Sequence, residues 1–430
     1  MKISPARTAA FDVLLRIESE KSFSSTLLPL YEVSLSNADS SLCHEIVLGS
    51  LRRQIYLDRV IDRFASGKKL DVAVRVAVRI GLYQLFFLER VPDYPAINES
   101  VGLVQRAKKS SAKGFVNALL RRATREKPIF DYIDQIDRVS VETSHPPWLI
   151  EKWTVDLGSA DAELLAKANN VIPKPAFRLT RSVKDIDSAA KANWRRSEFV
   201  DGCFLTDRSS SELRELESNG AVYFQDEASQ MAALAVEIPF GGQFLDICAA
   251  PGGKTGLIAS RFHDGLALAV AGDLYRSRVA HLRDNCVRQG VEFVGIVQHD
   301  ATRPLPFAYE VFDTVFVDAP CSGTGTIRHN PEIRYFLVPE DFSSLSAKQL
   351  AILTNASKLV KRGGSLVYST CSLEREENET VAQEFLASHP GFAKSIPKVA
   401  TPFCTDEGYA RTWPHRDTMD GFFIAEFRRR

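Results

Sequence analysis

The pattern of apolar runs after residue 226 limits the possible folds of this chain more than any other feature. Short strand-like runs alternate there with stretches of helical periodicity. This order predicts a mainly parallel sheet that is covered by helices on both faces. The predicted strands are 243–247, 266–272, 293–298, 312–317 and 364–369. A closing run, 421–427, is expected to add an edge strand.

The residues before 226 show two other patterns. From 5 to about 125, apolar residues recur at helical spacing, which predicts an all-α domain. From 131 to 225, a polar linker is followed by a helix start at Pro146-Pro147 and then by short strand-like and helical runs, which predicts a small α+β segment. The prediction is therefore a multidomain protein with parts at 1–130, 131–225 and 226–430.

Charge is distributed unevenly along the chain. Residues 1–130 contain 21 Lys and Arg against 13 Asp and Glu, a net charge of +8, so the rest of this neutral chain carries −8. A basic module joined to an acidic one suggests that the first docks on a polyanion. Lys113, Arg121, Arg122 and Arg125 point largely outward from a predicted helix at 112–125. They either contact RNA or form an ordinary solvated helix face.

Composition argues against several other classes of protein. No apolar run reaches the ~18 residues of a membrane span, and the first residues lack a signal-peptide core, so we expect a cytoplasmic protein. The seven cysteines form no CxxC pair, which argues against a disulfide framework and a structural zinc site. No metal is predicted, and the thiols should remain free in a reducing compartment.

A glycine-containing loop follows the first predicted strand of the α/β part. It comprises Cys248, Ala249, Ala250, Pro251, Gly252, Gly253 and Lys254. In open α/β sheets, ligands bind at such a loop, where the next helix offers free N–H groups. A tight turn is the alternative reading. The segment also resembles the end of a phosphate-binding loop, but that motif needs glycine in place of Cys248, which disfavours ATP.

Three successive strands end in an acidic residue: Asp273, Asp300 and Asp318. Asp273 lies 20 residues beyond Gly253, close to the spacing of about 20 at which an acid meets ribose hydroxyls. A single acid of this kind most simply caps a helix. Three of them around a glycine loop indicate a site for a nucleoside with a positively charged sulfonium or amino group.

Two cysteines also follow strand-like runs. Cys321 lies in Asp-Ala-Pro-Cys-Ser-Gly-Thr-Gly, 318–325, and Cys371 lies in Tyr-Ser-Thr-Cys-Ser, 368–372. Backbone N–H groups in such turns can stabilise a thiolate, whereas other cysteines are expected to be buried apolar groups. A thiolate that adds to C6 of cytosine makes C5 nucleophilic enough to accept a methyl group. The residues therefore suggest a site that holds a methyl donor and attacks a pyrimidine ring.

Four segments together resemble the RNA cytosine-C5 methyltransferases of the Nop2/Sun type. They are 225–230, 245–255, 318–325 with Asn330-Pro331-Glu332, and 369–372 with Glu377-Asn378-Glu379. Residues 5–125 resemble the antitermination factor NusB, notably at 113–120. The combination is similar to bacterial 16S rRNA methyltransferases. It implies a NusB-like helical domain, a small RRM-like α+β segment and a Rossmann-like class I methyltransferase domain.

The resemblance also implies roles for individual residues. Cys371 would be the nucleophile, Cys321 would help to release the product, and Asp318 would contact both the cytosine and the donor's amino group. The loop from Cys248 to Lys254 would wrap the methionine part of S-adenosylmethionine. Asp273 would bind its ribose and Asp300 its adenine. Arg328 stands where the family often has a basic residue that binds a flanking phosphate. The expected partner is 16S rRNA, free or in a partly assembled small subunit, and the expected state is a monomer.

Other functions remain compatible with parts of the sequence. A non-catalytic RNA-binding assembly factor would have broken motifs, yet both cysteines and all three acids are present. A methyltransferase acting on an amino group would need no thiol, and its usual Pro-Pro-aromatic turn is replaced by Ala319-Pro320-Cys321. A cytosine-C5 methyltransferase acting on another RNA, such as tRNA, would use the same chemistry.

Overall fold

The computed structural model describes residues 3–183, 193–207, 210–399 and 401–430. The chain divides into two compact units, Met1–Val171 with Ile327–Leu337, and Ile172–Thr326 with Val338–Arg430. This division differs from the predicted boundaries at 130 and 225. The residues just after 130 form helices that pack with the first unit, and the small α+β segment belongs to the second. Parts of that segment, 184–192 and 208–209, lie outside the described residues.

The bounds of the secondary-structure elements follow, in chain order. The α-helices are α1 (Pro5–Glu20), α2 (Ser24–Glu32), α3 (Asn37–Arg52), α4 (Gln54–Phe64), α5 (Val72–Phe87), α6 (Asp93–Arg106), α7 (Lys113–Ala123), α8 (Gln135–Thr143), α9 (Pro147–Leu157), α10 (Ser159–Ala168), α11 (Ser211–Ser218), α12 (Glu227–Leu234), α13 (Gly253–Phe262), α14 (Arg276–Arg288), α15 (Ile333–Phe336), α16 (Pro339–Ser357), α17 (Glu379–Ser388) and α18 (Pro414–Asp417). The strands are β1 (Ala176–Leu179), β2 (Arg195–Arg196), β3 (Cys203–Leu205), β4 (Val222–Phe224), β5 (Gly242–Asp246), β6 (Leu266–Asp273), β7 (Gly295–Gln298), β8 (Phe312–Asp318), β9 (Val360–Thr370), β10 (Phe392–Ser395), β11 (Ala410–Arg411) and β12 (Phe423–Arg429).

The first unit is all helical, as predicted, and is built around α5. That helix is apolar on nearly every side, and a helix of this kind is stable only when neighbours cover it. Helices α1, α4, α6 and α7 pack against it. Gly81 permits a close approach of α7, since a Cβ atom there would lie 2.7 Å from a methyl carbon of Leu120. Arg79, also buried in α5, forms ion pairs with Asp58 and Glu18.

A segment from the second half of the chain, Ile327–Leu337, completes this helical unit. Arg334 is fully buried and donates to the carbonyl oxygens of Thr143 (3.1 Å) and Ser144 (3.3 Å). Glu332 is also fully buried and accepts from the backbone N–H (2.6 Å) and the hydroxyl (2.8 Å) of Ser24. Charged groups can be buried only where such hydrogen bonds replace water. These bonds therefore fix the segment within the helices.

The second unit contains two sheets. The small sheet has four antiparallel strands in the order β2-β3-β1-β4. Its strands are short, and β3 covers only Cys203–Leu205. Aromatic residues hold this sheet together: Phe177 is fully buried and contacts the rings of Trp194, Phe204 and Phe224.

The large sheet has the order β10-β12-β9-β8-β5-β6-β7, with β11 pairing to β12. Strands β5 to β9 are parallel, which confirms the predicted α/β fold. The prediction of an edge strand at the closing run was wrong. Strand β12 lies between β9 and β10 and pairs antiparallel with both, and its residues Phe423–Phe427 are all buried, as an interior strand requires.

The order of the parallel strands creates a switch point. From β5 the chain runs outward through β6 and β7, then returns to the other side of β5 to form β8 and β9. Ligands of open α/β sheets bind beyond the carboxyl ends of the strands at such a point. Within the described residues, no helix is long and apolar enough to cross a membrane.

Candidate active site

The predicted donor loop follows β5 and ends at the start of α13. Gly252 has a left-handed φ of 104°, and a Cβ atom there would lie 2.9 Å from a methyl carbon of Leu282. Only glycine combines that backbone with that approach. Behind the loop, buried Arg178 donates to the carbonyl of Gly253 (2.8 Å) and to Gln289 Oε1 (2.5 Å). Burial lowers the pKa of Arg178 to about 10.

The three predicted acids lie at the carboxyl ends of neighbouring strands, but in different surroundings. Asp273 is buried, accepts from the N–H groups of Ala250 (3.2 Å) and Leu274 (2.8 Å), and thereby supports the donor loop. Asp300 accepts from the N–H (2.9 Å) and hydroxyl (2.6 Å) of Thr302, and these bonds lower its pKa. Asp300 thus caps a turn, the simpler role considered for any one of these acids.

Asp318 connects the donor loop to the strands that carry the cysteines. Its Oδ2 accepts from Lys254 Nζ at 2.7 Å and its Oδ1 from Ser369 Oγ at 2.8 Å. Burial alone would lower the pKa of Lys254, but the Asp318 carboxylate outweighs that effect and the pKa is raised. Lys254 is therefore a stable cation beside the site. Cys371 makes a smaller contribution that also raises the pKa of Lys254.

The two predicted cysteines lie side by side. Strands β8 and β9 are parallel neighbours, so the turns that follow them emerge at the same edge of the sheet. The Sγ atoms of Cys321 and Cys371 are 3.2 Å apart, and both residues are half-buried. The hydrogen bond with Cys371, together with burial, raises the pKa of Cys321 well above its usual value. Cys321 therefore keeps its proton and can donate it toward Cys371.

The remaining cysteines do not resemble this pair. Cys43, Cys203 and Cys286 are buried, and burial raises the pKa of each to about 12. Burial and the nearby acids also raise the pKa of Cys248, in the donor loop, far above its usual value. A thiol that remains protonated is a poor nucleophile, so Cys248 contributes to the loop as a small apolar group.

Sequence reasoning missed Asp246, the last residue of β5. It is 1 % exposed and accepts from Thr255 Oγ1 at 2.6 Å, while its Oδ1 is buried without a protein partner. Burial raises the pKa of Asp246 to about 7. The pattern of acids at strand ends could have found it, because Asp246 ends the strand directly before the donor loop. Sequence reasoning also gave no role to Glu377 and Asn378, which it treated only as part of a motif.

The basic residues proposed for RNA binding fall into two groups. Arg121 on α7 and Arg125 just beyond its end are exposed, and neither forms an ion pair with an acid in the described part of the chain. Lys113 Nζ donates to Gln105, and Arg122 pairs with Glu126. Arg328 is only 6 % exposed. Its predicted contact with an RNA phosphate finds no support in this structure, because the side chain has almost no accessible surface.

A ligand with a cationic amino acid part and a nucleoside part fits the donor site. The buried, unpartnered Oδ1 of Asp246 can accept from a cationic donor, the backbone of Gly252 and Gly253 leaves room for close approach, and Asp273 lies where ribose hydroxyls are bound. Together with the order of the large sheet, these features are typical of a nucleoside-binding enzyme such as an S-adenosylmethionine-dependent methyltransferase.

Comparison with known proteins identifies the family. Residues 234–428 match the family "16S rRNA methyltransferase RsmB/F", and residues 4–125 match the NusB family. The chain is 33 % identical to a probable ribosomal RNA small subunit methyltransferase B of Bacillus subtilis, over the full length of both chains. It therefore belongs to the RsmB/F family and is an RNA methyltransferase with S-adenosylmethionine as its methyl donor.

Solved structures agree with this assignment. The crystal structure of PH0851 has a TM-score of 0.83 and 25 % sequence identity, and the match covers 99 % of each chain. NSun6 from Pyrococcus horikoshii, crystallised with the S-adenosylmethionine analogue SFG, has a TM-score of 0.58 and 20 % identity. That match covers 66 % of this chain and 98 % of NSun6, and supports the fold alone.

Proposed function

We propose that the protein transfers a methyl group from S-adenosylmethionine to C5 of a cytosine in 16S rRNA, through a covalent bond between Cys371 and C6. The observation that carries this proposal is the 3.2 Å separation of the Cys321 and Cys371 sulfur atoms. An amino-group methyltransferase has no use for such a pair. The substrate class rests on relatives that are named for methylation of small-subunit ribosomal RNA.

In the proposed reaction, Cys371 loses its proton and its sulfur bonds to C6 of the cytosine. The electron density that this addition moves to C5 makes that carbon nucleophilic. S-adenosylmethionine supplies the electrophilic methyl group, which C5 accepts. Removal of the C5 proton then breaks the sulfur–C6 bond, restores the aromatic ring and returns Cys371. Cys321 assists this last step by passing the proton onward or as the base itself, because the hydrogen bond with Cys371 that raises its pKa is lost once the Cys371 sulfur is bonded to C6.

Asp318 and Lys254 orient the reacting groups in this scheme. Each oxygen of Asp318 uses one lone pair on Lys254 or Ser369 and keeps another for a ligand. These lone pairs accept from the amino groups of cytosine and of the donor. The loop from Cys248 to Lys254 holds the methionine part, Asp273 the ribose and Asp300 the adenine.

The RNA itself is proposed to contact the basic face of the helical unit and the small α+β segment. A paired base cannot reach a pocket of this kind without leaving its stack, so a loop cytosine is favoured. We also propose that the enzyme acts as a monomer in the cytoplasm, where ribosomal subunits are assembled, on free 16S rRNA or on a partly assembled particle.

Two substitutions test the covalent mechanism. Cys371→Ala should abolish formation of 5-methylcytosine because the nucleophile is gone. Cys321→Ala should still form the sulfur–C6 bond but release it slowly, leaving a protein–RNA adduct that survives a denaturing gel. Both are measured with labelled S-adenosylmethionine on 16S rRNA transcripts and on isolated small subunits.

Cys286→Ala is the matched control, since this cysteine is buried in α14 and is not one of the paired thiols. It should methylate RNA normally. Normal turnover by Cys371→Ala would refute the assignment of the nucleophile. Failure of the wild-type protein to bind S-adenosylmethionine in a calorimeter would instead favour a non-catalytic assembly factor.

A further inference from the structure

A single carboxylate bridges the two turns that carry the cysteines. Glu377 ends a short 3-10 turn, Arg375–Glu377, and is fully buried. Its Oε2 and Oε1 accept from the backbone N–H of Ser322 at 2.8 and 3.2 Å. Its Oε1 also accepts from Ser372 Oγ at 3.2 Å. Since Ser322 follows Cys321 and Ser372 follows Cys371, Glu377 holds both turns at once.

Further bonds stiffen this bridge. Gln349 on α16 donates to Glu377 Oε2 at 3.2 Å and to the carbonyl of Pro320 at 3.0 Å. The hydroxyl groups of Ser322 and Ser372 lie 3.1 Å apart. The cluster therefore connects the residue before Cys321, the residue after it and the residue after Cys371.

The charge of Glu377 is unusual for a group with only a structural role. No Lys or Arg in the described part of the chain forms an ion pair with it, and burial raises its pKa. A buried carboxylate without a cation is costly, and a neutral side chain of the same size could fill the space. Glu377 also lies close enough to Cys321 to favour its protonated form, after the larger effects of Cys371 and burial.

We propose that Glu377 is a positioning residue that holds the Cys321 thiol against Cys371 and so sets the rate of product release. This inference rests on the proposed function. Glu377 touches neither substrate nor donor in this scheme and acts through the backbone at Ser322. Its loss should therefore reproduce the release defect of a missing Cys321, while methyl-donor binding remains intact.

The first test is Glu377→Gln. Glutamine keeps the size of the side chain, but its NH2 group replaces one of the two accepting oxygens, so one of the two bonds from Ser322 is lost together with the bond from either Ser372 or Gln349. We expect turnover to fall roughly tenfold or more, as for the loss of hydrogen bonds to a charged group. The fraction of enzyme trapped as RNA adduct should rise by a similar factor, whereas the Kd for S-adenosylmethionine should stay within about twofold. Gel-resolved adduct, turnover and calorimetry give these three quantities.

Glu426→Gln is the control for the loss of a buried carboxylate. Glu426 lies on β12, is 7 % exposed and accepts from Ser365 Oγ, with no contact to either cysteine turn. It should lower the melting temperature without changing the adduct fraction. An adduct fraction in Glu377→Gln equal to that of Glu426→Gln would overturn the inference.

A double-mutant cycle separates positioning through Cys321 from a general defect. On the Cys321→Ala background, Glu377→Gln should leave the adduct fraction unchanged, because the group that it positions is already absent. A further rise in that background would contradict the proposal.

If Glu377→Gln fails to fold, Gln349→Leu removes one donor to the same carboxylate and should raise the adduct fraction by a smaller factor. No rise in Gln349→Leu would then overturn the inference.

The failures are distinguishable. If neither wild type nor Cys321→Ala forms an adduct or 5-methylcytosine, the proposed function itself falls. If Cys321→Ala traps RNA and Glu377→Gln does not, only the positioning role is lost.

Discussion

At the scale of single residues, the donor site contains a carboxyl group that titrates near neutral pH. Asp246 has lost almost all of its water, and only Thr255 donates to it. Burial, with smaller contributions from Asp318 and Asp273, raises its pKa from 3.8 to about 7. Its protonation state therefore changes near neutral pH, and a bound cation would draw it toward the charged form.

The pH dependence of stability tests this residue. A carboxyl group with a raised pKa binds more protons in the folded chain, so its stabilising contribution is complete below pH 3.8 and is lost as the pH rises through about 7. Asp246→Asn should thus show a smaller fall in melting temperature over that window, measured without S-adenosylmethionine. Other buried carboxyls, such as Glu377, act equally in both proteins. Parallel curves for the two proteins would show that Asp246 titrates normally.

At the scale of elements, α7 presents two faces with different roles. Val116, Leu119 and Leu120 are buried against the helical core, while Arg121 and, just after the end of the helix, Arg125 are exposed. Arg122 differs from both because it pairs with Glu126 and lies 4.6 Å over the ring of Phe64. RNA binding by arginines without an ion pair can therefore be compared with RNA binding by Arg122, which has one.

The salt dependence of RNA binding tests the exposed pair. Arg121→Gln with Arg125→Gln should weaken binding and reduce the slope of log K against log salt by roughly one for each phosphate that the variant no longer neutralises. Arg122→Gln should change the slope less because its charge is already paired. A slope equal to that of the wild type would show that these arginines do not contact RNA phosphates and form an ordinary solvated surface.

Elements were also the level at which sequence reasoning succeeded best. The parallel strands were found within a few residues, because strands that are buried on both faces read as continuous apolar runs. The position of β12 within the sheet was missed, since the apolar run at 421–427 predicts a strand but does not indicate which strands it pairs with. The two thiols were brought together correctly by the rule that parallel strands end at one edge. The burial of Arg334 and Glu332 had no local signal, because their partners lie more than 160 residues away.

At the scale of the whole molecule, the helical unit depends on a segment that comes much later in the chain. Arg334 supplies hydrogen bonds to carbonyl groups at the end of α8, and burial lowers its pKa to about 10. Tyr335 adds a bond from its hydroxyl to the carbonyl of Leu51 at 2.7 Å. The helices from α1 to α10 are therefore stabilised by hydrogen bonds from this later segment.

Substitution of Arg334 tests this dependence. Arg334→Ala should reduce the free energy of unfolding by roughly 3 kcal/mol, because it removes a hydrogen-bond donor from buried carbonyl groups and opens a cavity. Denaturant unfolding, followed by the signal of Trp148 and Trp153 in α9, measures the loss. Arg362→Ala, at an exposed position, should change it by less than about 0.5 kcal/mol. Equal effects of the two substitutions would show that the hydrogen bonds of Arg334 do not stabilise the helical unit.

The inserted segment Ile327–Leu337 also determines when this protein can finish folding on the ribosome. Helices α1 to α10 leave the exit tunnel long before residue 337 has been synthesised. At about 5–20 residues per second, the wait between residues 171 and 337 is roughly 10–30 s. For that time the carbonyl groups of Thr143 and Ser144 lack the hydrogen bonds that Arg334 and Tyr335 donate in the finished fold. During its own synthesis, an enzyme that serves ribosome assembly thus has an interval in which chaperones can bind it.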